Sequence, residues 1–220
     1  MVLLKPTGLL LLLAASQAQH PPPPSPATAR LFPIPHIATV ADPTASRPLA
    51  SAFQIIAPVS GINSSDVVTA AVARYMSIVP TCKPTSTGSG CAGTPITSLM
   101  ILVADSSITM PDLDVDVSYT LRLDAGKGTA TVSAQTPFGA LYGIETFSQL
   151  VAADGTVAGD GIVIQDKPSF RHRGLTIDVG RRVAPVALVN SIIDGLGYTK
   201  VRGSGLGGWG RERAGPRAVL

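Results

Sequence analysis

The sequence predicts an α+β fold in which a β-sheet is covered by helices on one face. Two segments, at 64–79 and 136–151, carry apolar residues at the three- and four-residue spacing of a helix. A third segment, Val115 to Leu123, alternates apolar and polar residues as a half-buried strand does. The order along the chain is strand, helix, strand, hairpin and helix, which favours one sheet that buries a single face against two helices.

The first half of the predicted domain holds two strands and a helix. Ala52 to Ile56 is a short strand candidate. Either Ser64 or Ser65 can cap the helix that follows, and the helix must end before Pro80, which cannot continue it. Leu99 to Val103 is a continuous apolar run, which predicts a strand that is buried on both faces.

The second half begins with a hairpin. The alternating strand that ends at Leu123 meets Ala125 to Gly128, a turn sequence, and Thr129 to Ala134 then returns as its partner. Gly161 to Gln165 is a last strand candidate. The hairpin leads directly into the second predicted helix.

This second helix has the clearest signals in the chain. Thr136 can cap it and Pro137 suits its first turn, so we predict a helix from Pro137 to Val151. A wide apolar stripe follows its length, formed by Phe138, Leu141, Tyr142, Phe147, Leu150 and Val151. We expect this helix to be a core element.

Two strings give the chain a family resemblance. The first is G-A-L-x-G-I-E-T-F-S-Q-L-V at 139–151, and the second is P-S-F-R-H-R-G-L-T-I-D-V-G-R-R at 168–182. Their wording, order and spacing closely resemble the eukaryotic-type β-N-acetylhexosaminidases of glycoside hydrolase family 20. In that family the first string closes a small N-terminal α+β domain, and the second enters the first strand of a (β/α)8 barrel.

The resemblance implies a domain division. Residues 31–165 correspond to the N-terminal domain, whose opening segment Leu31 to Pro35 is similar to the family's W-P-x-P and should be an extended edge. Residues 166–201 correspond to the first βα unit of an incomplete barrel, with His172 to Val179 as its strand and Pro185 to Leu196 as its helix. The Gly/Arg-rich tail at 202–220 departs from the family's second strand, because such glycine density disfavours a buried strand. We therefore expect a C-terminally truncated chain.

The composition favours a folded protein and argues against a nucleic-acid partner. Of the 220 residues, 45% are hydrophobic and 14% are charged, which is enough apolar sequence for a core. The net charge of +3 comes from the segment after Val201, which contains four arginines and one acidic residue, Glu212. No basic stripe interleaved with aromatic residues is present, so we expect no nucleic-acid binding.

The N-terminus has the features of a secretory signal peptide. Residues 1–18 combine one lysine, the apolar run Gly8 to Ala15 and a small-x-small cleavage site that ends at Ala18. A buried helix is the alternative, but Pro21 to Pro24 follow almost at once, and the run is too short to span a bilayer. We expect cleavage after Ala18, a Pro-rich leader at 19–30, and an extracellular or lysosomal or vacuolar protein without a membrane anchor.

Two further features fit a secreted protein. Cys82 and Cys91 flank a short Ser/Thr/Gly loop and could pair in an oxidising compartment, with free buried thiols as the alternative. Asn63 precedes Ser64 and Ser65 in an N-glycosylation sequon. Helix capping already accounts for these serines, and short sequons also arise by chance.

The resemblance implies a glycosidase, but the sequence lacks the family's catalytic pair. Family 20 enzymes use the substrate's acetamido oxygen as nucleophile, while an adjacent Asp-Glu pair orients that group and protonates the leaving oxygen. The chain holds two glutamates, Glu145 and Glu212, and no Asp-Glu dipeptide. We therefore assign no catalytic residue.

The predicted function follows from this combination. We expect the N-terminal portion of a β-N-acetylhexosaminidase, inactive as it stands, from a family that removes terminal N-acetylhexosamine from glycoconjugates or chitooligosaccharides. The implied partners are glycans that contain N-acetylhexosamine. The alternative is a non-catalytic carbohydrate-binding or partner-binding module.

Arg173 is the single substrate-binding candidate. It matches the family's arginine that hydrogen-bonds sugar hydroxyls, a task that suits the rigid multi-donor guanidinium. Arg173 lies near the start of its strand, whereas barrel ligands meet the C-terminal strand ends, so a boundary salt bridge to Asp166 or Asp178 is the alternative. Asp178 and Arg181 also match the family's D-x-x-R, and Arg182 stands where the family usually has histidine.

We expect no metal and no cofactor. His20, His36 and His172 lack the spacing of a ligand set, and the two cysteines have no nearby histidine, which argues against zinc. Residues 203–208 are glycine-rich but lack the following Lys-Ser or Lys-Thr of a phosphate loop. The sequence does not indicate the oligomeric state.

Overall fold

The computed structural model describes residues 28–58, 65–83, 91–110, 112–178, 184–201, 203–207 and 217–218. In chain order the elements are β1 (Ile37–Ile56), α1 (Ser65–Ile78), β2 (Ile96–Val103), β3 (Tyr119–Leu123), β4 (Thr129–Ala134), α2 (Pro137–Leu150), β5 (Thr156–Asp166), β6 (Gly174–Asp178), α3 (Val186–Tyr198), β7 (Gly203–Gly207) and β8 (Arg217–Ala218). This mixture of helices and strands confirms the α+β class. The predicted signal peptide, most of the leader, Asn63, Arg181, Arg182 and Glu212 lie outside the described residues.

Five strands form the main sheet, in the order β1-β2-β4-β3-β5. The long strand β1 serves two neighbours: its first part, from Ile37 to Pro48, runs antiparallel to β5, and its last part runs parallel to β2. The pairing of β1 with β5 closes the hydrogen-bonding order on itself. Strands β3 and β4 form the predicted antiparallel hairpin.

One apolar cluster holds this sheet and the first two helices together. Alternate residues of the strands point into it, among them Leu99, Leu121 and Ile164, each almost fully buried. The rings of Phe53 on β1 and Phe147 on α2 stack with their centroids 5.7 Å apart. Because α1 and α2 contribute to the same cluster and contact each other, both helices pack on the sheet from the same side.

Helix α2 lies close to the sheet because two glycines face it. The Thr136 hydroxyl caps the helix by accepting the Gly139 N–H at 3.3 Å, as predicted. A β-carbon at Gly139 would lie 2.5 Å from the Ser118 carbonyl oxygen, and one at Gly143 would lie 2.4 Å from Val132 Cγ1. The G-A-L-x-G spacing therefore sets the distance between α2 and strands β3 and β4.

Several strands differ from their predicted extents, among them β2, which begins at Ile96 rather than Leu99, and β6, which begins at Gly174 rather than His172. Strand β1 covers 20 residues rather than the predicted segment at 52–56, and β5 begins at Thr156 rather than Gly161. Strand β3 begins only at Tyr119, because the Asp116 carboxylate accepts the Ser118 N–H at 2.8 Å in a local turn. The segment at 31–35 precedes β1 as irregular chain and is not an edge strand.

Strand β2 is buried on one face only, so the prediction of two buried faces was wrong. Leu99 and Ile101 are in the core, whereas Leu102 is 43% exposed. The apolar run reflects a strand between two parallel neighbours, β1 and β4, with a single helix-covered face.

The C-terminal part forms a small second sheet in the order β6-β7-β8. Strands β6 and β7 are parallel and α3 connects them. The segment Gly203–Gly207, whose glycine density argued against a buried strand, forms the paired strand β7. Strand pairing uses backbone N–H and C=O groups, which glycine supplies like any other residue.

Candidate functional site

Arg173 lies directly before β6, at the contact between the C-terminal segment and helix α2. Its Nε donates to the Lys200 carbonyl oxygen at 3.1 Å, and its Nη1 donates to the Phe170 carbonyl oxygen at 2.7 Å. Its Nη2 donates to the Tyr142 hydroxyl at 3.1 Å, and the guanidinium carbon lies 5.9 Å from the centre of the Tyr142 ring. These bonds use three of the five N–H donors of the guanidinium and hold it in one orientation.

The alternative ion pair between Arg173 and Asp166 is not formed. Asp166 pairs with Lys200 instead, with Lys200 Nζ 3.1 Å from Asp166 Oδ2. Both side chains are largely buried, at 7% and 11% exposure. Arg173 is thus adjacent to an ion pair of which it is not a member.

A socket on the N-terminal side of the molecule holds the Lys200 ammonium; it consists of Tyr119, Thr146 and Asp166. Besides Asp166, Nζ donates to the Thr146 hydroxyl at 2.8 Å and to the Tyr119 hydroxyl at 2.9 Å. The ammonium also lies 4.8 Å from the centre of the Tyr119 ring. An ammonium has three N–H donors, so the socket matches all of them.

The pKa values in the socket follow from its burial. Burial lowers the pKa of the Lys200 ammonium, and the Asp166 carboxylate opposes this effect. Burial also raises the pKa of the Tyr119 phenol; the hydrogen bond with Thr146 acts in the opposite direction, and the negative charge of Asp166 adds to the rise. Tyr119 is therefore a neutral hydroxyl that can donate to Asp166, at 3.1 Å.

The backbone at Lys200 has an unusual conformation. Its φ is +57°, the left-handed region that costs an L-residue about 1–2 kcal/mol. The Val201 N–H donates to the Leu196 carbonyl at 3.0 Å, and the Lys200 N–H donates to the Gly197 carbonyl at 3.2 Å. This is a Schellman ending of α3, in which the left-handed position is usually glycine and is here lysine.

Glu145, the glutamate among the described residues, lies in the interior between two helices and does not line the cleft described below. It is 4% exposed and accepts hydrogen bonds from the Tyr75 hydroxyl and, at 2.8 Å, from Gln149 Nε2. Burial, followed by the charge of Glu145, raises the pKa of Tyr75. The pair joins α1 to α2 in the interior, so Glu145 is not placed to protonate a glycosidic oxygen.

An open cleft of about 540 Å³ lies beside the socket, at the ends of β3, β4 and β5. Its polar lining includes Asp116, Ser118, Thr120, Gln135 and Gln165. Tyr119 and Asp166 line the same cleft, so its wall is continuous with the Lys200 socket.

The two cysteines form a disulfide. Cys82 and Cys91 are bonded, with their Cα atoms 5.9 Å apart. The Cys82 N–H donates to the Leu49 carbonyl at 3.1 Å, which attaches this loop to β1. The disulfide is far from Arg173 in sequence and belongs to the other end of the sheet.

Neither a metal site nor a membrane span was found in the described part of the chain. Its residues include no cluster of three or more His, Cys, Asp or Glu side chains that could hold a metal ion. The helices within the same ranges are too short or too polar to cross a bilayer.

The sequence made Arg173 a candidate but gave no indication of the socket. Lys200 contacts Asp166, Thr146 and Tyr119, which are 34, 54 and 81 residues away in the chain. Such separations leave no local pattern. The sequence placed the end of this helix at Leu196, whereas α3 continues to Tyr198, so the prediction did not put Lys200 at the position after the helix where glycine is usual.

Known proteins resemble this chain in sequence and in fold. Residues 31–150 match the family described as β-acetyl hexosaminidase like. β-Hexosaminidase 1 of Arabidopsis thaliana is 41% identical over 116 residues, which cover 48% of this chain and 21% of the relative. β-Hexosaminidase subunit beta of Homo sapiens is 39% identical over 92 residues, or 41% of this chain and 16% of the relative. The matched segment thus spans about a fifth of these relatives.

Two solved structures extend the comparison of folds. The chitobiase of Flavobacterium johnsoniae superposes with a TM-score of 0.60 at 23% identity, covering 82% of this chain and 27% of that chain. The exo-β-N-acetylglucosaminidase of Vibrio harveyi, solved in complex with N-acetylglucosamine, has a TM-score of 0.56 at 18% identity and covers 82% and 25%. At these identities the likeness concerns the fold.

Proposed function

Because the chain belongs to the β-acetyl hexosaminidase-like family, which it matches over residues 31–150, we propose that it is the N-terminal portion of a β-N-acetylhexosaminidase. The single observation that carries this proposal is that family match, which ends on the α2 string. The named relatives are β-hexosaminidases and agree with it. The proposed activity of the whole enzyme is hydrolysis of terminal N-acetylhexosamine from glycans.

The proposed domain division is 31–165 for the N-terminal domain and 166–201 for the start of a catalytic (β/α)8 barrel. Its support is the β6–α3–β7 unit, in which a helix joins two parallel strands. This is the repeating unit of such a barrel. Helix α3 also has exposed apolar side chains, such as Val186, which is 75% exposed, and Leu188, which is 51% exposed. Such a surface agrees with a helix that other parts of a barrel would cover. The remainder, 202–220, then includes the second strand, β7.

In the proposed enzyme, Arg173 binds hydroxyl groups of the sugar. This role is supported by the hydrogen bonds of the Arg173 guanidinium to Lys200, Phe170 and Tyr142, which orient it before a sugar binds. A donor that is already oriented loses less conformational entropy on binding. The chemistry also needs an acid at the leaving oxygen, which this sequence does not supply. Glu145 is buried between helices, and no Asp-Glu dipeptide occurs.

The proposed location is the secretory pathway, with a mature chain outside the cell or in a lysosome or vacuole. The signal-like residues 1–18 and the disulfide between Cys82 and Cys91 support it. N-glycosylation at Asn63 belongs to the same proposal.

A second candidate is a glycan-binding module without catalysis. The observation that favours it is the open polar cleft beside Tyr119 and Asp166, whose amide and hydroxyl side chains could hydrogen-bond a sugar. Binding of chitooligosaccharides that is lost in a Gln165→Leu variant would favour this candidate.

A chimeric enzyme tests the primary proposal. Residues 31–201 would replace the matching N-terminal part of Arabidopsis thaliana β-hexosaminidase 1, and turnover of a chromogenic N-acetylglucosaminide would be measured. We expect turnover, with kcat/KM reduced about 10- to 100-fold by Arg173→Lys, which keeps the charge and removes the fork. A folded chimera without turnover would contradict the proposal. Unchanged kcat/KM in the Arg173→Lys chimera would remove Arg173 from the substrate site.

A further inference from the structure

The Lys200 residue joins two separate sets of contacts. Its side chain enters the Tyr119–Thr146–Asp166 socket, whereas its backbone carbonyl accepts hydrogen bonds from Arg173 Nε at 3.1 Å and from the Tyr142 hydroxyl at 3.3 Å. One residue therefore connects the socket, through its side chain, with the Arg173 guanidinium, through its carbonyl.

The left-handed backbone at Lys200 indicates that its side chain matters. Glycine would adopt this conformation without strain, and most helices that end in this way place glycine there. A lysine persists where the surroundings determine its position, and strained residues of this kind concentrate at functional sites. Here the three hydrogen bonds of the ammonium determine the position of Lys200.

We propose that Lys200 is a positioning residue: its ammonium, seated in the socket, holds the carbonyl that orients the Arg173 guanidinium. The relevance of this orientation to sugar binding rests on the proposed function. The positioning itself does not, since it is a contact between residues of this chain.

The molecule contains a matched internal control. The Lys127 carbonyl also accepts from an arginine, Arg47 Nη2, at 2.5 Å, but the Lys127 side chain is 69% exposed and pairs with Asp124 at the surface. Arg47 itself is held by Thr94 and Asp160 as well. We therefore expect the side chain of Lys127 to have no effect on the position of Arg47, whereas the side chain of Lys200 should determine the position of Arg173.

The test is the exchange of arginine Nε–H protons with water in the full chain labelled with ¹⁵N-arginine. Arg47 Nε donates to the Thr94 carbonyl at 2.6 Å and should give a slowly exchanging signal that reports an intact fold. Arg173 Nε should give a second slow signal, assigned by its loss in Arg173→Lys. Lys200→Met keeps the length of the side chain and removes the charge, and we expect loss of the Arg173 signal with the Arg47 signal unchanged.

Two further variants separate the ammonium from the backbone turn. Lys200→Gly relieves the left-handed strain, and we again expect loss of the Arg173 signal. Lys127→Met should change neither signal. If Lys200→Gly retains the Arg173 signal, the turn alone orients the guanidinium and the proposal is wrong; the same holds if Lys200→Met retains it.

A milder variant covers the case in which Lys200→Met unfolds the chain, as loss of the Arg47 signal would reveal. Thr146→Val keeps the shape of the socket and removes one charged hydrogen bond, so exchange at Arg173 should become about tenfold faster. Unchanged exchange in this variant would overturn the proposal. None of these readouts involves a sugar or turnover, so the positioning claim and the proposed function can fail independently.

Discussion

Replacing Gly143 with alanine tests how closely helix α2 must approach the sheet. The new β-carbon would lie 2.4 Å from Val132 Cγ1 and 3.2 Å from Tyr119 Cδ2. Val132 is fully buried on β4, between β2 and β3, and a β-branched side chain has little rotamer freedom with which to retreat. Overpacking of this kind costs about 1–3 kcal/mol, against a helix-propensity gain of about 1 kcal/mol.

We therefore expect Gly143→Ala to lower the free energy of unfolding by up to about 2 kcal/mol, measured by urea denaturation with circular dichroism. Gly195→Ala in α3 is the matched control, because no atom lies within 4 Å of the position of its β-carbon. It should leave stability unchanged or raise it by up to about 1 kcal/mol. A double variant, Gly143→Ala with Val132→Ala, should show favourable coupling of about 1–2 kcal/mol. If Gly143→Ala is as stable as Gly195→Ala, the close approach of α2 to β4 is incorrect.

Three other predictions concern covalent and ionisation states. Cleavage after Ala18 should give Gln19 as the N-terminus of protein secreted by a eukaryotic host; retention of Met1 would refute this. The Cys82–Cys91 disulfide should leave no thiol to label in unreduced, denatured protein, and Cys82→Ser with Cys91→Ser should cost about 2–3 kcal/mol, whereas two reactive thiols would exclude the bond. Burial raises the pKa of Tyr75 and Tyr119, so both phenols stay protonated in the folded chain above pH ~10, where those of the unfolded chain ionise. The free energy of unfolding should therefore fall as the pH rises beyond that value. Tyrosinate absorbance should show these two phenols ionising only as the protein unfolds, and Tyr75→Phe should remove one of them; ionisation of both in the folded state would contradict their burial.

The elements that sequence predicted best are those with local signals. Thr136, Pro137 and the apolar stripe of α2 lie within one segment, and the structure has the helix and its cap there. The hairpin of β3 and β4 is likewise encoded by alternation and a turn within a short stretch. Both depend on contacts between residues that are near each other in the chain.

The elements that were missed depend on distant partners. The first part of β1 is largely exposed and includes Pro43 and Pro48, so it has little strand pattern, yet it pairs with β5 over residues such as Thr39 and Val163. Strand β7 has glycines instead of a β-forming pattern and is held by backbone pairing with β6. The Lys200 socket combines three residues from separate elements, and no spacing in the sequence indicates it.

We propose that this chain is the N-terminal portion of a β-N-acetylhexosaminidase and is inactive as it stands, because its sequence has no Asp-Glu pair. The most direct measurement is turnover of a chromogenic N-acetylglucosaminide by the purified chain from residue 19 onward. We predict no turnover above the buffer rate, because loss of the general acid alone removes about 10²- to 10⁴-fold. Turnover that persists in both Glu145→Gln and Glu212→Gln would indicate a contaminating host enzyme. Turnover that either substitution abolishes would contradict the claim, since a glutamate of this chain would then be the acid.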